Sequence, residues 1–129
     1  MTALAMTALV VPDYDEAIAF FTGALGFALR EDTDMGDGKR WVVVSGEGGG
    51  DLLLARAVNE VQRAAIGNQT GGRVGWFLHT DDFAAARDRL ADHGVVFSDG
   101  PREEPYGTVA VFADPWGNRW DLIEPGKAA

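Results

Sequence analysis

A carboxylate in an otherwise apolar run is the first place where this chain can do chemistry. Arg119-Trp-Asp-Leu-Ile123 sets Asp121 between Trp120 and Leu122. Three roles suit it: metal ligand, acid/base group, or polar contact. In a strand, alternation puts Arg119 and Asp121 on one face and Trp120 on the other. Apolar surroundings would raise the carboxyl pKa. The other reactive groups are few. There is no cysteine, which excludes disulfides and thiolate metal sites. His79 and His93 are the two histidines. No Ser-His-Asp order accompanies them. His93 falls at a helix end, where an imidazolium suits the dipole. Pro101-Arg-Glu-Glu-Pro-Tyr106 offers a guanidinium and the Tyr106 hydroxyl, either as a rim over a site or as a solvated turn. Of four tryptophans, Trp116 reads as a turn residue and Trp120 as core, while Trp41 and Trp76 are candidates for a stacking surface. Gly46 to Gly50 is followed by neither a helix nor Lys-Ser/Thr, so it is no phosphate loop.

The elements that position these groups come in two similar sets. An apolar run at 3–11 reads as a strand ended by Pro12-Asp13. A helix follows from Tyr14 to about Leu25, with Asp13 and Glu16 as a capping box and Gly26 as its stop. Phe27 to Arg30, Trp41 to Ser45 and Leu52 to Ala55 read as strands, with a polar turn at Asp32 to Lys39. The pattern then recurs. Val74 to Thr80 is a strand, Asp81-Asp82 caps a helix from Phe83 to His93, and Val95 to Ser98 is a short strand. Gly100 to Tyr106 reads as a polar turn. The final hairpin turns at Ala113-Asp-Pro-Trp-Gly-Asn118, where Asp114 can bond its own backbone and Gly117 supplies a left-handed residue. The linker around 58–72 contains a helical turn at Val58 to Ile66 and a loop-like Gly67-Asn-Gln-Thr-Gly-Gly72 with Gln69 in reach of a ligand. Each half is thus β-α-β-β-β, and two copies suggest paired modules, about 1–57 and 73–125, in a single domain of 129 residues.

Composition narrows the partners. The net charge is −9 with 11 Lys+Arg against 20 Asp+Glu, so no basic patch exists for nucleic acid or an anionic membrane. No run is long enough to span a bilayer. The apolar N-terminus lacks a basic region and reads as a strand rather than a signal peptide, so a cytoplasmic location is expected.

The order Val-Pro-Asp-Tyr14, Ala-Ile-Ala-Phe-Phe21, Leu-Gly-Phe27, Asp-Asp-Phe83, Phe-Ala-Asp-Pro-Trp-Gly-Asn118 and Asp-Leu-Ile123 resembles the vicinal oxygen chelate superfamily. That group holds glyoxalase I, extradiol dioxygenases, fosfomycin-resistance enzymes and bleomycin-binding proteins. The resemblance implies an α+β fold of paired βαβββ modules, a cup-shaped mixed sheet with helices outside, and a homodimer. It also implies where a metal would sit in metal-dependent members. The final ligand position maps onto Asp121, the first onto Met6, the third onto Trp76. The second maps onto Leu53, with Asp51 two residues away on the same face as the alternative. Both expected histidines are therefore replaced, and one or two carboxylates cannot hold Zn²⁺ or Fe²⁺. No metal and no cofactor are expected. The resemblance then favours a metal-independent binder of an apolar or aromatic small molecule, with Met6, Leu53, Trp76 and Trp41 as apolar contacts and Arg119, Asp121 and Tyr106 as polar ones. On this expectation His79 faces the helices. The alternative is a lyase, isomerase or dioxygenase with a remodelled site.

Overall fold

A computed structural model describes residues 1–126. The chain forms two compact units, Met1–Ile66 and a second from Gly67 on. The first unit runs β1 (Thr7–Val11), α1 (Tyr14–Gly23), β2 (Ala28–Gly36), β3 (Lys39–Gly46), β4 (Gly49–Arg56) and α2 (Glu60–Ala65). Its four strands form one sheet in the order β1-β4-β3-β2. β1 lies parallel to β4, and the other pairs are antiparallel. The second unit repeats the plan with β5 (Val74–His79), α3 (Phe83–Asp92), β6 (Phe97–Glu104), β7 (Gly107–Ala113) and β8 (Arg119–Pro125), in the order β5-β8-β7-β6. This is an α+β fold of two open four-stranded mixed sheets. The parallel pair in each unit exists because the helix carries the chain across from the first strand.

α1 and α3 each start on an aspartate. The Asp13 side chain accepts from the Glu16 N–H at 2.8 Å, and the Asp82 side chain accepts from the Ala85 N–H at 3.1 Å. Alternation then decides the core. In the first unit Leu9, Val11, Val42, Val44 and Leu54 are fully buried on one sheet face, as are Ala17 and Phe21 of α1. In the second unit Ala110, Phe112, Trp120 and Leu122 are buried, as are Phe83 and Leu90 of α3. A carboxylate oxygen of Glu124, in phase with Trp120 and Leu122, accepts from the Phe83 N–H at 3.0 Å, so this is the helix side of the sheet.

Two segments that read as turns by composition are strand instead. The polar turn expected over Asp32 to Lys39 is confined to its end, because β2 continues to Gly36. Arg40 holds this acidic strand, bonding Asp32 at 2.7 Å and Asp15 at 2.9 Å. That guanidinium keeps the Asp32 carboxyl below its ordinary pKa. Likewise Gly100 to Glu104 belongs to β6, which carries a bulge between Asp99 and Arg102. In both places ladder hydrogen bonds to a strongly apolar partner strand outweigh polar composition.

Candidate functional site

The two N-cap aspartates provide a common ruler for the halves. Met6 lies seven residues before Asp13, and seven before Asp82 is Gly75, one residue short of Trp76. The pairing agrees with the ruler. Trp76 pairs with Trp120 and Leu78 with Leu122, after a register shift between Val74 and Trp76. Trp76 thus stands on the helix side and stacks on Trp120, with ring centroids 5.1 Å apart and planes at 22°. The expectation that Trp76 takes the third ligand place and contacts the ligand is corrected. The single-residue offset exchanges the two faces of β5. His79 is corrected with it: it pairs with Ile123, on the side of Asp121, and is exposed.

The same register separates Leu53 from Asp51. Ala8 pairs with Leu53, and its counterpart Phe77 pairs with Asp121. Leu53 therefore occupies in the first unit the place that Asp121 holds in the second. Asp51 is held by the hydroxyl of Ser45, which is itself buried. The face of the first sheet away from α1 thus presents Leu53, Ala55, Val43 and the half-buried Trp41, with Met6 just before β1. It is apolar apart from the Ser45–Asp51 pair and the β2 edge.

The matching face of the second sheet is more polar. One row across it reads Asp99, Val111, Asp121, Phe77, and the next reads Arg102, Val109, Ile123, His79. Arg102 bonds Asp99, and its Nε donates to Glu104 at 2.8 Å. Glu104 first, then Asp99 and the Tyr106 hydroxyl, favour its charged form. Tyr106 itself sits in the β6–β7 turn and is exposed. Arg119 is exposed at the start of β8. Asp121 is half-buried, and its Oδ1 is fully buried with no hydrogen-bond partner among the described residues. Burial pushes its carboxyl pKa up, the Arg102 and Arg119 guanidinium groups pull it down, and Asp99 raises it again. The net direction is upward.

A raised folded pKa makes Asp121 cost stability once pH exceeds that pKa, and the cost vanishes below the unfolded value of 3.8. The internal repeat already shows what fits the place, namely leucine. We expect Asp121→Leu to raise the melting temperature at pH 7, by a margin that shrinks steadily toward pH 3. Thermal scans across that range check it. A variant less stable than the parent at pH 7, or a margin independent of pH, would refute the assignment of strain to this carboxylate.

The superfamily's metal enzymes need several N/O ligands, and the residues here do not fit such an ion. The four corresponding places hold Met6, Leu53, Gly75 and Asp121. No group of three or more His, Asp or Glu is placed to hold a metal among the described residues. An open hollow of about 390 Å³ at the β2–β3 turn, lined by Asp32, Asp34, Asp37 and Arg40, contains none of these positions.

Residues 3–122 match the family model described as the Glyoxalase/Bleomycin resistance protein/Dioxygenase superfamily. The chain belongs to this superfamily. Among relatives of this superfamily member, an uncharacterized protein of Shewanella frigidimarina is 54% identical over 91% of this chain and 89% of its own length. YurT of Bacillus subtilis, also uncharacterized, is 30% identical over 94% of this chain and 98% of its own length. The crystal structure of UcmS2 matches with a TM-score of 0.81 and 31% identity, covering 96% of this chain and 98% of that one. TnmS3, an antibiotic binding protein from Streptomyces sp. CB03234, matches with a TM-score of 0.70 and 32% identity, covering 98% and 99%. A manganese-bound fosfomycin resistance protein, FosX from Listeria monocytogenes, shares the superfamily fold at 13% identity. Proteins sharing this fold thus include one complexed with manganese and one that binds an antibiotic, so the fold does not decide and the residues at the site must. The motif order announced the fold. The signal that separates Gly75 from Trp76 was also in the sequence, as the spacing to the second helix cap, but it requires knowing which aspartate caps.

Proposed function

We propose that this superfamily member is a metal-independent small-molecule binding protein for an apolar or aromatic ligand. The observation that carries the reading is Phe77. It is 61% exposed and pairs with Asp121 between β5 and β8, on a face where Val109, Val111 and Ile123 are themselves buried. An aromatic ring left in water beside an unsatisfied carboxylate is unfavourable for folding alone, and it suits a ligand that covers both. Likeness to an antibiotic binding protein supports it as analogy. Action in the cytoplasm as a homodimer goes with this reading. Light scattering tests the dimer, which would have twice the 13.8 kDa chain mass.

The test is tryptophan quenching across a panel of planar aromatic compounds. Trp76 adjoins Phe77 in the chain and reports on that strand. Saturable quenching by at least one compound is expected. Phe77→Ala should then weaken binding by about ten- to hundredfold, since covering a phenyl ring contributes roughly 1.5–3 kcal/mol. The melting temperature should stay within about 3 °C, because the ring packs little in the free protein. Unchanged affinity in Phe77→Ala, or no saturable quenching at all, would overturn the reading.

A further inference from the structure

Asp121 also bears on what the ligand must carry; this step rests on the binding reading above. Its Oδ1 is buried with no hydrogen-bond partner among the described residues, while the residue as a whole remains half-buried. The two oxygens are chemically equivalent, so a ligand meets the carboxylate through the oxygen on its accessible side, while the charge is shared with the buried one. The nearby guanidinium of Arg102 is already committed to Asp99 and Glu104. Arg119 is exposed and makes no ion pair among the described residues, so water and salt screen it. Asp99, Glu104 and Asp121 together outnumber Arg102 and Arg119, and the local balance stays negative. The chain's net charge of −9 adds a long-range field of the same sign.

We infer that Asp121 selects ligands that bring a protonated nitrogen to it while covering the exposed ring of Phe77. A neutral donor would satisfy the oxygen but leave the charge. A protonated amine meets both needs through a charge-assisted hydrogen bond. An anion meets an unpaired acceptor and like charge.

Three probes with matched three-ring bodies test this: 9-aminoacridine (cationic), 9-hydroxymethylanthracene (neutral) and 9-anthracenecarboxylate (anionic). Salt is held at about 150 mM to weaken the long-range field. The cation is expected to bind at least about tenfold more tightly than the anion. In Asp121→Asn that ratio should fall to about threefold or less, mainly through loss of cation affinity. Asp121→Leu serves as a second variant should the asparagine impair folding, and circular dichroism monitors both. A ratio near one in the parent overturns charge selection while leaving the binding reading intact. A large ratio that survives both substitutions assigns selection to the overall charge and also overturns the role of Asp121. If none of the three probes nor any compound of the aromatic panel quenches saturably, both readings fall.

Discussion

Asp114→Ala is expected to destabilise the protein by about 4 kcal/mol, well above the usual loss from truncating one polar side chain. Asp114 is 4% exposed and organises the whole β7–β8 turn. Its Oδ1 accepts from the N–H groups of Trp116, Gly117 and Asn118 at 3.1, 3.0 and 2.9 Å. Its Oδ2 accepts from Asn118 Nδ2 at 2.9 Å and from the Trp120 indole N–H at 3.0 Å. Truncation removes the shared acceptor of these five donors; the Gly117 N–H keeps the Asp114 carbonyl at 3.1 Å, but Asn118 and Trp120 are too buried to recruit water easily. Bonds to a charged acceptor contribute about 1.5–3 kcal/mol each when removed singly, but bonds sharing one carboxylate do not add. Asp114→Asn keeps one acceptor oxygen and turns an NH₂ toward donors, so a loss of roughly half that size is expected. Urea unfolding followed by tryptophan fluorescence measures both. A loss in the alanine variant below about 1 kcal/mol would show that the turn is held by other means.

Gly67→Ala is expected to cost about 3 kcal/mol or more, although Gly67 opens a stretch that looks like a mere linker. Its φ is +73°, and a Cβ there would lie 1.7 Å from the Trp116 carbonyl oxygen and 2.6 Å from that carbonyl carbon. Both obstacles are backbone, so a rotamer change cannot relieve them. Gly71 separates strain from contact. Its φ is also positive, at +69°, but a Cβ there meets nothing within 4 Å. Gly71→Ala should therefore cost only about 1–2 kcal/mol, the penalty for a left-handed alanine. Urea unfolding of the two variants side by side measures the difference. Equal losses would mean that backbone strain accounts for both and that Gly67 does not clamp the Trp116 turn.

These two positions also show what was legible in the chain and what was not. Asp114, Pro115 and Gly117 announce a turn because each acts on its own neighbours, and the hairpin forms where they stand. Asp13 and the Asp81-Asp82 pair likewise announce the helix starts, though only the structure shows that Asp82 is the cap. Gly67 gives no such sign, since its constraint comes from the carbonyl of Trp116, far along the chain. The acidic β2 and the proline-containing β6 read as turns by composition and became strands through their partners β3 and β7.

By itself the sequence determined the duplicated βαβββ plan, the caps and the superfamily, because these follow from interactions within a few residues and from alternation along each strand. Met6, Leu53 and Asp121 keep the places read from the sequence, and the tertiary structure decided which face of β5 lies on the side of Asp121. A register shift between Val74 and Trp76 put Trp76 on Trp120 and turned Phe77 and His79 toward the side of Asp121. Pairing β1 with β4 made Leu53, rather than Asp51, the counterpart of Asp121. Side chains alternate with a period of two, so one residue of slip between strands far apart in sequence exchanges a whole face, and composition and alternation within β5 do not fix it.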